Sequence, residues 1–379
     1  MDRYAHVTGW GIATPERILT NDELAKIVDT NDEWIVSRTG IKQRYIAGKG
    51  ETTASLAALA ACRALEPTNI DARDIDLIVL ATSSPEHIFP ATACLVQDEI
   101  GAINAGAFDL SAACTGFIFA LNMAAQAIQT GSIENALVIG SETLSRYVNW
   151  QDRSTCILFG DGAGAFVLQA SDKPGGVLSA VMRSDGSGGN LLSVPAGGSK
   201  LPATHETIDR NQHTIQMNGR EVFRFATRVM ASATREVVDK ADLDLDEIEL
   251  IIPHQANQRI IENAARGLRL PMDRFMLNVS QYGNTSTASI PLAFADAMDS
   301  GRIQDGDHLV LVGFGAGLTW GALAMQWFKA EEKPSRMLKR KRRLVIWYSR
   351  LRSWLRRIVR KIEGLIWGAS SQSKKDDPL

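Results

Sequence analysis

The chain reads as one pattern written twice. Ile75-Asp76-Leu77-Ile78-Val79-Leu80-Ala81 is similar to Ile248-Glu249-Leu250-Ile251-Ile252-Pro253-His254, at an offset of 173 positions. Ala136-Leu137-Val138-Ile139-Gly140 is matched by His308-Leu309-Val310-Leu311-Val312-Gly313, at an offset near 172. Between the members of each pair lies an extended segment that turns into an apolar helix. In the first half these are Ala107–Leu110 and Cys114 to about Thr130; in the second they are Phe275–Val279 and about Ser286 to Ala297. The offset is too long for a solenoid repeat, so duplication and fusion explain it better. Apolar strands alternating with helices predict parallel sheets covered on both faces. The expected fold class is α/β, with two pseudo-symmetric βαβαβ-type halves, 1–172 and 173–328, in a five-layered α-β-α-β-α arrangement. Sites in open α/β sheets gather at the carboxyl ends of strands. That directs attention to the turns after residues 110, 253, 279 and 312.

A third segment, 329–379, differs in charge. Residues 331–379 hold 15 Lys and Arg against 5 Asp and Glu, a net of +10, whereas 1–330 hold 26 against 38, a net of −12. An acidic body with a basic tail is two objects. The Met1-Asp2-Arg3-Tyr4-Ala5-His6 start does not read as a secretory leader. No run of 18 apolar residues suggests a membrane span. Four cysteines, at 62, 94, 114 and 156, show no CxxC spacing, and six histidines show no HExxH pattern. A reduced cytoplasmic protein without a disulfide framework or metal is expected.

Cys114 lies in Ser111-Ala112-Ala113-Cys114-Thr115-Gly116-Phe117, where a strand gives way to a helix. A helix N-terminus favours a thiolate over a thiol and can hold an oxyanion. Cys62, Cys94 and Cys156 read as structural cysteines, Cys156 at the entry to a strand. His254 ends the second-half strand, and Asn284 occupies the turn that mirrors the Cys114 turn. Taken singly, each also fits a structural role: a core thiol, a satisfied histidine, a helix cap. A pseudo-twofold would bring the three together. Gly160-Asp161-Gly162-Ala163-Gly164-Ala165 is not a dinucleotide fingerprint, since a strand rather than a helix follows it. Asp185–Asn190 reads as a loop between the halves.

Five stretches carry a specific resemblance. Asp29 to Ile41, Ala112 to Phe117, Gly160 to Ala165, Pro253 to Asn257 and Tyr282 to Ser286 resemble β-ketoacyl-acyl carrier protein synthase III, a thiolase-like condensing enzyme family. The similarity runs to about Phe328. It implies a homodimeric, cytoplasmic acyltransferase that needs no cofactor, joining an acyl-CoA to malonyl-acyl carrier protein with loss of CO₂ to start fatty acid biosynthesis. It implies a Cys-His-Asn triad at Cys114, His254 and Asn284, with an oxyanion hole from the N–H groups of Cys114 and Ala316. Some relatives have glycine at the position of Ala316. By the same resemblance Thr30, Trp34, Arg38, Arg153 and Asn257 would bind CoA, with Trp34 and Arg153 sandwiching the adenine. Arg224, Arg259 and Arg266 would dock the acidic carrier protein, and Phe89 would reach across the dimer to floor the partner's acyl pocket. A sister enzyme making an alkylquinolone, a polyketide or a long-chain lipid would share the triad. An acyltransferase without condensation and a non-catalytic membrane scaffold are further alternatives. A relative making hydroxymethylglutaryl-CoA would need a glutamate near the cysteine, and none is evident.

The tail departs from that family. Lys339-Arg340-Lys341-Arg342-Arg343 precedes apolar residues that recur at steps of three and four from Leu344 to Ile366. A helix from Leu344 to Trp367 would be about 36 Å long. Peripheral membrane contact through 339–367 is expected from such a basic, Trp-rich stripe, with packing on the body or tail pairing as alternatives. Nucleic-acid binding is not expected, since nothing in the body suggests it.

Overall fold

The computed structural model describes residues 2–329, 348 and 351–363. The first half contains β1 (Tyr4–Ala13), β2 (Arg17–Thr20), β3 (Gln43–Ile46), β4 (Leu77–Ala81), β5 (Gly106–Leu110), β6 (Asn135–Glu142) and β7 (Gly162–Ser171). The second contains β8 (Gly176–Ser184), β9 (Leu192–Ser193), β10 (Gln216–Met217), β11 (Ile248–Pro253), β12 (His308–Gly315) and β13 (Thr319–Gln326). One sheet has the order β1-β7-β6-β4-β5 and the other β11-β12-β13-β8, while β2–β3 and β9–β10 are short pairs.

The apolar repeats are continuous because their strands are covered on both faces. Side chains alternate along a strand. Val79 and Ala81 of β4 therefore join the central core, while Ile78 and Leu80 join an outer one. The repeat-mates in β11 divide likewise: Leu250 and Ile252 face inward, Ile248 and Ile251 outward. Helices Gly116–Gln129 and Ser289–Asp299 lie in the central core, between the two sheets. Phe166 joins them edge-on, with ring centroids 5.0 Å from Phe117 and 4.7 Å from Phe294. Each such aromatic pair contributes about 0.5–1.5 kcal/mol beyond area burial. Helices Thr53–Leu65 and Thr92–Ile100 cover the outer face of the first sheet, and Gly219–Lys240 and Gln258–Leu268 that of the second. The result is the five-layered α-β-α-β-α arrangement.

Four sequence expectations are corrected. Both sheets are mixed rather than parallel: β4 runs parallel to β5 and β6, and β11 to β12, but β7, β8 and β13 pair antiparallel. Three residues join β12 to β13, too few for the crossover that a parallel pair needs. Phe275–Val279 is not a ladder strand. Phe275 makes one isolated bridge to Ile251, after which the N–H groups of Asn278 and Val279 donate to Oε1 of Gln255 at 3.0 and 3.2 Å. A side chain has replaced the neighbouring strand as acceptor. Cys156 ends a short helix, Arg153–Cys156, capped by the Asp152 side chain on Ser154 N–H. Asp185–Asn190 does not separate the halves; it follows β8, already in the second sheet, and contains a 3₁₀ turn, Gly186–Leu191.

In the tail, residues 351–363 are helical. The cationic block Lys339–Arg343 and positions 344–347, 349, 350 and 364–367 of the expected helix lie outside the described residues.

Candidate active site

Cys114 stands in a one-turn 3₁₀ helix, Ala113–Thr115, between edge strand β5 and helix Gly116–Gln129. Its repeat-mate is the turn Ser286–Ala288, ahead of helix Ser289–Asp299. The residue opening each turn holds a left-handed backbone without being glycine: Ala113 at φ 48° and Ser286 at φ 49°. Such conformations cost on the order of 1–3 kcal/mol and persist where the surroundings over-determine them. The two residues are 173 positions apart, the offset of the repeat. The same strained entry is thus built twice.

The turns meet strands of opposite halves. A Cβ on Gly140 of β6 would lie 2.2 Å from the Thr287 carbonyl oxygen, and one on Gly315 of β12 would lie 2.8 Å from the Cys114 nitrogen. Any side chain at Gly315 would push β12 off the nucleophile turn. The Ser286 hydroxyl hydrogen-bonds the Cys114 thiol and also Glu142. Glu142 is fully buried at the end of β6 and accepts from Ser84 Oγ (2.6 Å), Ser83 N–H (3.1 Å) and Thr287 Oγ1 (3.1 Å). Burial holds its carboxyl above the ordinary range against those bonds. A glutamate therefore does sit beside the cysteine, which the sequence did not disclose. Its oxygens are engaged by surrounding donors, so it braces the Ser286 turn.

Asn284 is held by its backbone: its N–H donates to Leu158 O (2.8 Å) and its carbonyl accepts from Gly160 N–H (3.0 Å). Its side-chain Oδ1 accepts from Ser286 N–H at 2.9 Å, which leaves the two Nδ2 protons for a ligand. His254, just past β11, is 1% exposed, and its N–H donates to Val312 O at 2.8 Å. Nδ1 lies 2.6 Å from Ser289 Oγ, and Gln255 N–H donates to that same oxygen at 3.4 Å. With Gln255 N–H on one lone pair, Ser289 Oγ is assigned as the donor to Nδ1, which places the imidazole proton on Nε2. Nε2 is buried without a partner. Burial drives the imidazole pKa down to about 3, so the ring is neutral throughout the physiological range. Phe314 packs edge-on against it at 5.3 Å, one residue from the Gly315 that abuts Cys114. Cys114 and Asn284 thus meet through Ser286, and Cys114 and His254 meet through the end of β12.

A cavity of about 470 Å³ opens on Cys114, with Leu144, Tyr147, Phe159, Ile215 and Ala316 among its walls. Ala316 has no left-handed φ; that conformation falls on Gly317, at φ 136°. An alanine is therefore sterically suited to its place.

The similarities to known proteins agree with this geometry. Residues 108–186 match the family 3-oxoacyl-[acyl-carrier-protein (ACP)] synthase III, and 238–327 match its C-terminal family. The β-ketoacyl-[acyl-carrier-protein] synthase III of Roseiflexus sp. (strain RS-1) is 49% identical over 327 residues, 86% of this chain and 99% of that protein. That of Symbiobacterium thermophilum is 52% identical over 321 residues, 85% and 97% of the two chains. The chain belongs to the 3-oxoacyl-[acyl-carrier-protein] synthase III family. The crystal structure of the Aquifex aeolicus VF5 synthase III superposes with a TM-score of 0.79 at 45% identity, over 85% of this chain and all of that one.

At the surface of this synthase, Trp34 sits between two guanidinium groups, with Arg38 Cζ 4.5 Å and Arg153 Cζ 5.1 Å from its ring centroid. At 5.1 Å no ring fits between Trp34 and Arg153, since stacked faces need about 3.5 Å on each side. Arg153 is half exposed and held by Asp29 at 3.4 Å, an exposed pair worth little. It can swing aside. The Thr30 hydroxyl is buried without a partner. The Asn257 amide is already engaged, donating to Arg38 O (3.0 Å) and accepting from Arg259 N–H (2.9 Å) as the cap of helix Gln258–Leu268. Arg224, Arg259 and Arg266 are exposed on the two outer helices of the second half. Arg224 pairs with Glu221, Arg259 stands over Phe223 at 5.8 Å, and Arg266 donates to Asn263. Phe89 is 84% exposed, beside Ile88 at the same value.

Burial pushes the Cys114 thiol up from 9.0 to about 12, with the Ser286 bond acting in the opposite direction. A helix N-terminus returns up to about 2 kcal/mol, roughly 1.5 in pKa. That is half of the rise, so the resting thiol keeps its proton, contrary to the expectation of a preformed thiolate. Alkylation of Cys114 by a neutral reagent such as iodoacetamide should therefore climb close to tenfold per pH unit between pH 6 and 9, without a plateau. Peptide mapping of the adduct at each pH measures it. A plateau below pH 8 would show a thiolate already formed.

Proposed function

We propose that this synthase performs the decarboxylative Claisen condensation of an acyl-CoA with malonyl-acyl carrier protein that begins fatty acid biosynthesis. The observation that carries the reading is His254 Nε2, a buried ring nitrogen without a partner, on a ring that packs against Phe314, one residue from the Gly315 that abuts Cys114. Buried polar atoms are seldom left unpaired, and a catalytic role is one of the reasons for an exception.

Cys114 sulfur attacks the acyl-CoA carbonyl, the thioester C–S bond breaks, and CoA leaves as its thiol with the cysteine proton. Malonyl-acyl carrier protein then enters. Its carboxylate departs as CO₂, and the electron pair of the broken C–C bond moves onto the thioester as an enolate. His254 Nε2–H and Asn284 Nδ2–H donate to the enolate oxygen. A neutral imidazole suits this step, because a fixed cation would hold the carboxylate in place. The carbanion attacks acyl-Cys114, and the tetrahedral oxyanion rests on the N–H groups of Cys114 and Ala316. Collapse expels the Cys114 thiolate, which takes up a proton from solvent to restore the resting thiol, and releases β-ketoacyl-acyl carrier protein. No cofactor enters any step; acyl-CoA is a substrate.

The remaining assignments belong to the same proposal. Thr30, Trp34, Arg38 and Asn257 hold CoA, with Arg153 swung clear of the indole, and Arg224, Arg259 and Arg266 meet the carrier protein. β5 is a sheet edge whose Phe108 is 41% exposed, and Ile88 and Phe89 project nearby in sequence. An uncovered edge with exposed apolar side chains supports a homodimer in which Phe89 enters the partner's site. The halves 1–172 and 173–328, with the tail 329–379, are the units of this cytoplasmic enzyme, and the tail touches a membrane peripherally. Supplying purified protein with acyl-CoAs of different length and malonyl-acyl carrier protein, and weighing the carrier protein by mass spectrometry, tests the reaction. The expected product gains the primer acyl group plus two carbons. Acylation of Cys114 with no condensed product from any primer would overturn the condensation and leave a simple acyltransferase.

A further inference from the structure

The tail helix turns the wrong side to the protein. In 351–363, Leu351, Trp354, Leu355, Ile358, Val359 and Ile362 fall on one side when projected at 3.6 residues per turn, and Tyr348 extends that side by a turn. Arg352, Ser353, Arg356, Arg357, Arg360 and the one acidic residue, Glu363, occupy the other, with Lys361 at its border. An amphipathic helix on a globular body normally buries its apolar stripe. Here the contact with the body runs through the polar side. Ser353 Oγ and Arg357 Nη2 both donate to Asp98 Oδ2 on helix Thr92–Ile100, the arginine at 3.2 Å. Ser353 and Arg357 project on the face opposite Leu355 and Ile362. Most of the stripe therefore looks outward: Tyr348 is 61% exposed, Trp354 58%, Ile362 50%, Val359 49% and Leu355 48%, while Leu351 and Ile358 are half-buried.

Charge indicates what covers that stripe. The segment 331–379 carries +10 and the rest of the chain −12. An anionic surface would repel the body and attract only the tail. Exposed Arg356 and Lys361 border the stripe, Arg360 is exposed on the polar side, and aromatic residues of the Trp and Tyr type settle at the bilayer–water boundary. Among the described residues no helix is long and apolar enough to cross a membrane, so a helix of this kind lies in the interface. The C-terminal family match ends at residue 327, before the helix begins.

We propose that the outward face of helix 351–363 is an interfacial binding surface for an anionic lipid bilayer, which holds the enzyme by the side that carries Asp98. The surface is independent of the chemistry at Cys114. Each cation near an anionic headgroup layer adds roughly a fivefold gain in affinity, and salt screens it.

The test is flotation of the full chain with vesicles of phosphatidylcholine alone or mixed with phosphatidylglycerol, at low and moderate salt. The wild-type chain should float with the anionic vesicles, less so as salt rises, and stay down with neutral ones. Trp354→Ser/Leu355→Ser/Ile362→Ser should weaken anionic binding by at least about tenfold, and Arg356→Gln/Arg360→Gln/Lys361→Gln by a similar factor or more. Both variants should condense acyl-CoA with malonyl-acyl carrier protein at the wild-type rate. Equal flotation with neutral vesicles, or none with either, would overturn the proposal. A higher oligomer in sedimentation, abolished by the Ser variant and without flotation, would assign the stripe to a second copy of the tail. Binding to RNA without flotation would assign the cations elsewhere. Either result would also overturn it.

Discussion

Replacement of Cys114 by Ala should abolish acyl-enzyme formation and lower condensation on the order of 10⁶-fold, the scale seen when an enzyme loses its nucleophile. Four cysteines, none in a disulfide, compete for the role, and the structure ranks them. Cys94 is exposed, so it will react with small alkylating agents, but its sulfur faces the Ala107 carbonyl and no triad partner. Cys62 packs on an outer helix against the first sheet. Cys156 is buried, and burial raises its thiol to about 11. Only Cys114 combines the 470 Å³ cavity with the Ser286 bond and the approach of Gly315. Intact mass and peptide mapping after acyl-CoA treatment decide the matter. An acyl adduct on Cys62, Cys94 or Cys156, with Cys114 unmodified, would overturn the assignment.

His254→Ala and Asn284→Ala should each slow malonyl decarboxylation roughly 10²–10³-fold, the usual loss on deleting one oxyanion donor. Acyl transfer to Cys114 should fall far less, because both donors act on the enolate. Decarboxylation is best followed in the Cys114→Ala background, where no acyl-enzyme competes and CO₂ release reports the single step. The pH profile there tests the histidine independently. A ring with its pKa near 3 gains its proton only as pH falls toward 3. Above that it stays the neutral Nε2–H donor, so the rate should not break downward between pH 5 and 9. Normal CO₂ release by both Ala variants would refute the enolate mechanism. A break near 6.5 would show that His254 titrates as an exposed histidine does.

Burial and repetition were legible in the chain alone. Ile75–Ala81 and Ile248–His254 are apolar almost throughout because strands covered on both faces have no side to leave polar, and the repeat at 173 residues follows from two halves meeting one requirement. The turns carrying Cys114 and Asn284 followed from the same count, since strand ends in such sheets are where the chain is free to carry chemistry. Strand direction was not legible: it depends on whether a link is long enough to cross over, and the β12–β13 link is three residues. Nor was Phe275–Val279, whose strand-like composition is overridden by a side chain, Gln255, distant in sequence. Glu142 and Ser289 were hidden because a glutamate ending a strand and a serine opening a helix are ordinary. The hydroxyl run Thr285-Ser286-Thr287-Ala288-Ser289 was the available signal. What makes them matter is who faces them: Ser286 lies between Glu142 and Cys114, and Ser289 against His254 Nδ1. The same limit holds for the tail. Its sequence determines an apolar stripe and a basic one, but which stripe meets the protein depends on Asp98, about 255 residues away in the chain. Propensity and periodicity act between near neighbours, whereas tautomer, thiol pKa and helix orientation are set by groups that only folding brings together.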